Sequence, residues 1–218
     1  MKYDVGFVLD VSGSLGPDDW KTETSFTKKL ARRIDISPTG GRAAVTIFDS
    51  SAWLKIKFSD HLNYGDFEKA VERLPYTGGG TSISTALDVA LNQMFQQPNG
   101  MRNESHKELI LITDGHSDAS NYDILANDFQ TQNIKVIVLG VGGDIDRDNL
   151  RRLVTDYKNL YIATNFEDLK VKSLADNVGE AICQGIFMHT TNEHLRLSKF
   201  LKFDNYYDKN IDNDEMLI

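Results

Sequence analysis

The sequence predicts a doubly wound α/β fold: a six-stranded, mostly parallel sheet with helices on both faces and one antiparallel strand at an edge. Short, almost continuous apolar runs alternate with amphipathic segments along the chain. Runs of this kind are typical of parallel strands that are buried on both faces. Two of the runs are joined by only three residues, which is too short for a crossover helix, so we expect those two strands to form a hairpin.

Six apolar runs account for the predicted strands. They cover residues 3–9, 43–48, 52–58, 109–113, 135–139 and 160–163. The first run stops at Asp10 and the fourth stops at Asp114. Asp49 and Ser51, between the second and third runs, are expected to make the hairpin turn, because both residue types favour turns. The third run should therefore be the antiparallel strand at the edge of the sheet.

The segments between the strands have helical periodicity. Pro17 marks the start of the first helix, because proline suits the first helical position. The apolar face of this helix is expected to contain residues at four-residue spacing, namely Phe26, Leu30 and Ile34. A second clear apolar stripe runs through residues 83–94. Weaker helical patterns cover residues 64–73, 121–132, 147–155 and 166–183.

The composition is that of a globular protein with a hydrophobic core: 40% of the 218 residues are hydrophobic and 26% are charged. The formal net charge is −8, which argues against nucleic acid and against an anionic membrane surface as partners. No segment approaches the roughly 18 apolar residues of a membrane-spanning helix. No signal peptide is visible, so we expect either a cytoplasmic protein or an extracellular one whose upstream leader has been removed.

The alternation of strands and helices ends near residue 185. Residues 1–185 are expected to form one α/β domain. Residues 186–218 lack the strand rhythm and end in an acidic stretch, so we expect a C-terminal extension that is partly helical or mobile. Cys183 is the single cysteine of the sequence, which excludes an internal disulfide and a cysteine-rich zinc site.

Oxygen-bearing side chains follow the predicted strands at the edge where an open α/β sheet binds its ligands. Asp10, Ser12 and Ser14 stand at alternate positions after the first strand, so their side chains can converge. Thr81 follows three glycines at the start of a predicted helix, and Asp114 ends the fourth strand. This all-oxygen set favours a hard divalent ion, with Mg²⁺ the best fit and Mn²⁺ or Ca²⁺ as alternatives. We expect some of the five groups to bind through water.

The pattern Asp10-x-Ser12-x-Ser14, then Thr81 after a glycine turn, then Asp114 after a strand, resembles the metal-ion-dependent adhesion site of von Willebrand factor type A domains. The resemblance covers residues 3–183 and is closest to the extracellular-matrix branch, which includes the matrilins and collagen VI. It implies that both serines and the threonine coordinate the ion directly. It implies that the two aspartates hold the ion directly or through water.

The resemblance also implies a function. A Glu or Asp side chain of a protein partner would complete the coordination of the ion, which makes the expected protein a non-enzymatic, cation-dependent adhesion module of the extracellular matrix. Collagen is the partner that the family suggests. Cys183 stands where the closing cysteine of such a domain often lies, so its partner is expected outside this chain.

Two other functions remain open at this stage. One is an intracellular scaffold or assembly subunit with the same fold. The other is a magnesium-dependent phosphoryl-transfer enzyme, which would need a nucleophile and an acid–base pair beside the ion. Asp10 is the plausible nucleophile for that reaction. Each serine or threonine alone also fits an ordinary capping role, and Thr81 in particular could cap the helix that follows it.

Overall fold

The computed structural model describes residues 2–115 and 121–187, with side chains up to Ile182 in the last helix. Six strands form one sheet: β1 (Tyr3–Asp10), β2 (Gly41–Phe48), β3 (Ala52–Ile56), β4 (His106–Thr113), β5 (Ile134–Val141) and β6 (Leu160–Ala163). Their order is β3-β2-β1-β4-β5-β6. β2 and β3 pair antiparallel, and every other neighbouring pair is parallel. The predicted fold class and the antiparallel edge strand are therefore confirmed.

Helices cover both faces of the sheet. They are α1 (Gly16–Ala31), α2 (Tyr64–Glu72), α3 (Ile83–Val89), α4 (Tyr122–Thr131), α5 (Arg147–Arg152) and α6 (Lys172–Phe187). A π-helical turn, Ala90–Met94, extends α3 along the predicted stripe. Within the described residues no helix is long and apolar enough to cross a membrane. The predicted extension after residue 185 lies, apart from residues 186 and 187 at the end of α6, outside the described residues.

Two predicted helix boundaries differ from the structure. α1 ends at Ala31, so Ile34 lies beyond the helix although it is still buried in the core. Beyond Ala31 the hydrogen bonds change to i→i−3, from the N–H of Arg33 to Leu30 and from the N–H of Ile34 to Ala31, and Asp35 then has a left-handed backbone with φ of 53°. The predicted helix 166–183 is divided in two, since Val171 has an extended backbone that separates a 3₁₀ turn, Phe166–Lys170, from α6.

The core lies in two layers, one on each face of the sheet. Every residue of β1 is buried, as expected for a central strand covered on both sides. On one face Phe7 of β1 packs near Phe67 of α2, with ring centroids 6.4 Å apart. On the opposite face Phe58 and Phe95 pack with centroids 5.4 Å apart. The two layers fix the strand ends in space and therefore position the loops that follow them.

A buried ion pair joins β1 to the segment before β4. Asp4 is completely buried, and its carboxylate accepts hydrogen bonds from the backbone and guanidinium nitrogens of Arg102 at 2.7–2.9 Å and from Ser105 Oγ at 2.6 Å. A buried charge is tolerated when it is paired and hydrogen-bonded in this way. The pair lies at the amino-terminal end of β1, at the opposite end of the strand from Asp10.

Because removal of one partner would leave a buried charge without compensation, we expect Asp4→Ala to lower the free energy of unfolding by about 3–5 kcal/mol. The measurement is urea denaturation of the full chain. Glu104→Ala is the control, since it removes the exposed pair between Lys2 and Glu104 near the same end of the sheet, and exposed pairs contribute little. Equal destabilisation by the two substitutions would contradict this interpretation.

A second buried acid, Glu108, lies on β4 with 5% of its side chain exposed. Its nearest cation is Lys135 of β5, with Nζ 3.8 Å from Oε1, and Lys135 also donates to the backbone oxygen of Ala181 in α6. Glu108 Oε2 has no hydrogen-bond partner among the described residues. Burial raises the pKa of Glu108 to about 8, although the charge of Lys135 opposes the shift.

The raised pKa makes stability depend on pH with a defined sign. Since the folded chain holds this proton more tightly than the unfolded chain, the stabilising contribution of neutral Glu108 is full below its ordinary pKa of 4.5 and is lost as the pH rises through about 8. We therefore expect Glu108→Gln to gain stability relative to the wild type between about pH 5 and about pH 9. Urea denaturation at both pH values tests this. Glu180→Gln is the control, because Glu180 is exposed on α6. A pH-independent difference for Glu108→Gln would refute the assignment.

Candidate metal centre

The candidate centre is built around Asp10, the last residue of β1. Its carboxylate is completely buried, Oδ1 accepts the backbone N–H of Ser12 at 2.9 Å, and Oδ2 accepts Thr113 Oγ1 at 2.7 Å. Burial raises the pKa of Asp10, while the hydrogen bonds from Ser12 and Thr113 oppose that shift. Asp10 therefore links the ends of two parallel strands and fixes the start of the loop that contains the serines.

The two serines connect Asp10 to Asp114. Ser12 Oγ lies 3.0 Å from Ser14 Oγ, and Ser14 Oγ donates to Asp114 Oδ1 at 3.0 Å. Tyr76 supports the loop from behind, because its hydroxyl donates to the backbone oxygen of Ser12 and accepts the N–H of Gly16, both at 3.1 Å. Four of the five predicted site residues thus form one continuous hydrogen-bonded chain.

Thr81 completes the group and lies beside Gly115, the residue after Asp114. A Cβ placed on Gly115 would be 3.3 Å from Thr81 Oγ1, so the threonine hydroxyl lies beside the strand end that holds Asp114. Ser14, Thr81 and Asp114 line the same open cleft of about 550 Å³. The structure therefore brings all five predicted residues to one edge of the sheet. Their coordination of a metal remains a prediction.

Asp49 makes the predicted hairpin turn and also holds the glycine loop that contains Thr81. It does make that turn, because its Oδ1 accepts the N–H of Ser51 at 2.9 Å. Its Oδ2 also accepts Thr77 Oγ1 at 2.8 Å, and its backbone oxygen accepts the N–H of Ser82 at 2.8 Å. Sequence reasoning missed this role, since the contacts join residues about 30 positions apart.

Glu23 of α1 is a further acid at the centre that sequence reasoning did not single out. It is completely buried, and its Oε1 accepts the backbone N–H of Asp10 at 3.2 Å. Burial raises the pKa of Glu23 well above its ordinary value, and the charge of Asp10 adds to the shift. The sequence does contain a signal for Glu23. It lies on the apolar stripe of α1, between Trp20 and Phe26, where a glutamate is unusual.

The electrostatics of the cleft fit a cation. Partial burial, followed by the charge of Asp10, raises the pKa of Asp114 to about 6. The lining includes the acids Asp19, Asp144 and Glu167, and no Lys or Arg is among the described lining residues. The convergent groups are hydroxyl and carboxylate oxygens, the ligands preferred by hard divalent ions. A divalent cation would supply the positive charge that this cluster lacks.

A doubly wound sheet with an Asp-x-Ser-x-Ser loop, a separate threonine and a second aspartate at its carboxyl edge defines a class of α/β domain rather than a particular protein. The family model described as von Willebrand factor type A domain matches residues 4–177. The chain therefore belongs to the von Willebrand factor type A domain family, and the family resemblance predicted from the sequence is confirmed.

Several relatives are extracellular-matrix proteins, which agrees with the predicted branch. The chain is 29% identical to cuticlin-6 of Caenorhabditis elegans over 192 residues, which are 87% of this chain and 32% of cuticlin-6. It is 34% identical to human vitrin over 116 residues, 52% of this chain and 16% of vitrin. It is 23% identical to human matrilin-1 over 194 residues, 88% of this chain and 39% of matrilin-1. The chain thus spans less than half of each relative.

Solved structures share the fold. Proximal thread matrix protein 1 from the mussel byssus superimposes with a TM-score of 0.77 at 23% identity, over 84% of this chain and 46% of that one. A further structure of the same mussel protein has a zinc-occupied metal-ion-dependent adhesion site and a TM-score of 0.76 at 22% identity. At these identities the similarity establishes the fold alone.

The contact between Gly79 and Asp49 provides a test of how the loop is held. A Cβ on Gly79 would be 2.6 Å from Asp49 Oδ2 and 2.9 Å from Asp49 Cβ, and Asp49 cannot move away without loss of its hydrogen bonds. We expect Gly79→Ala to lower the free energy of unfolding by about 1–3 kcal/mol and to weaken Mn²⁺ binding by displacing Thr81.

Gly143→Ala is the matched control, because Gly143 lines the same cleft and a Cβ there meets nothing within 4 Å. Urea denaturation measures the stability of both variants, and calorimetric titration measures their affinity for Mn²⁺. If Gly79→Ala behaves like Gly143→Ala in both measurements, the anchoring role of Asp49 is wrong.

Proposed function

We propose that this chain is a cation-dependent adhesion module that holds Mg²⁺ with Asp10, Ser12, Ser14, Thr81 and Asp114. Mn²⁺ and Ca²⁺ are the alternative ions. A Glu or Asp side chain of a protein partner would complete the coordination. The observation that carries this proposal is the hydrogen-bonded chain from Asp10 through the two serines to Asp114, with Thr81 beside it at the rim of an open cleft.

The burial of each group supports a division of roles. Asp10 is fully buried and both of its carboxylate oxygens already accept hydrogen bonds, so it would hold the ion through water while it positions the serine loop and contributes negative charge from behind. Ser14, Thr81 and Asp114 line the open cleft, where they can reach an ion and a partner at once. The bound ion would act as a Lewis acid that attracts an external carboxylate.

Neutral hydroxyls among the ligands favour a partner acid. An ion that is bound mainly by hydroxyl oxygens keeps most of its positive charge, because only carboxylates neutralise it. The acids around the cleft, Asp19, Asp144 and Glu167, would repel a partner carboxylate that approaches away from the ion. They would also favour basic residues next to that carboxylate on the partner.

We further propose an extracellular location and a matrix protein such as collagen as the partner. The similarity to vitrin, matrilin-1 and collagen XII supports both parts of this proposal. A non-enzymatic role is part of the same proposal, since binding of a partner carboxylate needs no nucleophile or general acid beside the ion. The pairing of Cys183 with a cysteine outside this chain also remains a proposal, because its side chain lies outside the described residues.

Cation affinity of the full chain tests the site itself. We expect Mg²⁺ and Mn²⁺ to bind in calorimetric titrations, and Thr81→Ala and Asp114→Ala to weaken binding by about tenfold or more, which corresponds to about 1.4 kcal/mol. Thr131→Ala is the control, because Thr131 is exposed on α4 and its hydroxyl donates to the backbone oxygen of Asn127 in the same helix. Unchanged cation affinity in both site variants would disprove the assignment of the ligands.

Binding to fibrillar collagen tests the partner separately. We expect the chain to bind immobilised collagen in Mg²⁺, to lose that binding in EDTA, and to lose it in the two site variants. Collagen binding that persists in EDTA would place the adhesive surface elsewhere on the domain. Cation binding without collagen binding would reject collagen as the partner while retaining the metal site.

A further inference from the structure

A groove on the helical surface is lined by more cations than acids, in a chain whose net charge is −8. It has a volume of about 470 Å³ and lies between α1, α2 and the start of α6, and it shares no lining residue with the metal cleft. Eleven residues line it, of which two are acids, Glu68 and Asp176. Six are cations, namely Lys28, Lys29, Arg32, Arg33, Lys170 and Lys172.

The end of α1 explains why the cations gather here. Residues 28–33 read Lys-Lys-Leu-Ala-Arg-Arg, and Leu30 and Ala31 are buried against the core. Since positions three and four apart share a face of a helix, the two lysines and the two arginines project together towards the groove. Cations are also favoured at the carboxyl end of a helix, where the helix dipole is negative.

A glycine on α6 leaves room for the side chain of Arg33 to lie against that helix. A Cβ on Gly179 would be 2.4 Å from Cδ of Arg33, so the arginine lies directly against the backbone of α6. From there its guanidinium reaches the carboxylate of Asp176. The groove is therefore a formed feature of the packing between α1 and α6.

Four of the six cations pair with acids of the chain, and at least one member of each pair is a third or more exposed. The pairs are Lys28–Glu72, Arg32–Glu68, Arg33–Asp176 and Lys170–Glu167. Arg32 is 3.5 Å from Glu68, Lys28 is 2.6 Å from Glu72, and the glutamate of each pair is partly or largely exposed. Exposed pairs of this kind exchange readily with other anions. Lys29 and Lys172 have no ion-pair partner within the described part of the chain, so their charge is available to a ligand.

We propose that this groove binds a sulfated polysaccharide chain. A short run rich in lysine and arginine is a recognised pattern of heparin-binding patches. A polymer of high charge density gains affinity by releasing its condensed counterions when clustered cations neutralise it. An acidic peptide would gain little affinity, because its carboxylates would only replace the carboxylates of this chain that already pair with the cations.

The groove is poorly suited to single-stranded nucleic acid. Such ligands stack their bases on exposed aromatic rings. The ring that lines this groove, Tyr64, is covered by the guanidinium of Arg32 at 4.9 Å from its centroid. Stacked guanidinium groups still present their N–H donors at the edge, where they can bind planar anionic groups such as sulfate esters.

Calorimetric titration of the full chain with a heparin-derived octasaccharide tests the proposal. EDTA is present throughout, so the result does not depend on the metal site. We expect binding that weakens about tenfold or more as NaCl rises from about 50 to about 200 mM. The double substitution Lys29→Ala/Lys172→Ala should weaken it at least about tenfold at the lower salt concentration.

The matched control is Lys55→Ala/Lys57→Ala, which removes two exposed lysines outside the groove and should leave the affinity unchanged. Thermal unfolding establishes that both double variants are folded, and Lys29→Gln/Lys172→Gln replaces the alanine variant if it is not. Equal losses in the two pairs, or no octasaccharide binding by the wild type, would overturn the proposal. Tighter binding of a poly-glutamate peptide or a single-stranded oligonucleotide of matched charge would overturn it as well.

Discussion

The complete burial of the Asp10 carboxylate is the constraint on which the metal centre depends. A carboxylate removed from water at the end of a central strand needs donors on both oxygens. The backbone N–H of Ser12 satisfies one oxygen and Thr113 Oγ1 satisfies the other. The first bond folds the loop back so that Ser12 and Ser14 face Asp114. The second ties β1 to β4 at the position before Asp114, so one buried acid positions three of the other site residues.

The remaining residue, Thr81, is held by a separate part of the fold. Its loop is fixed to the turn between β2 and β3 by Asp49, and backbone hydrogen bonds from Gly13 to Gly79 and from Gly78 to Val11 join it to the serine loop. The centre thus consists of two halves built on different strand pairs and joined by main-chain contacts. A displacement of the β2–β3 turn would therefore move Thr81 relative to Asp114.

The sequence predicts the parts of this protein that depend on local pattern. Almost continuous apolar runs identify five of the strands and an alternating run identifies the sixth, β3, while the three-residue connection at Asp49 identifies the antiparallel edge. The five oxygen-bearing residues are identifiable because each follows a strand or precedes a helix. Three features are not identifiable from the sequence, because each depends on contacts or backbone angles that no periodicity encodes. They are the anchoring role of Asp49, the buried Glu23 and the early end of α1. Glu23 occupies a core position of an amphipathic helix, and only the three-dimensional structure identifies the Asp10 N–H as its partner.

The two proposed binding surfaces, the metal cleft and the cationic groove, carry opposite charge and lie on different parts of the domain. Acids cluster at the carboxyl edge of the sheet, where burial and then the charge of Asp10 raise the pKa values of Glu23 and Asp114, and no described cation lines the cleft. Cations cluster on the flank formed by α1 and α6. A polyanion on that flank would be repelled from the acidic cleft, and a partner carboxylate could approach the cleft only where the proposed ion offsets the repulsion. Because the repulsion disappears only at the ion, the surrounding acids would increase selectivity for a ligand that brings its carboxylate directly to the metal.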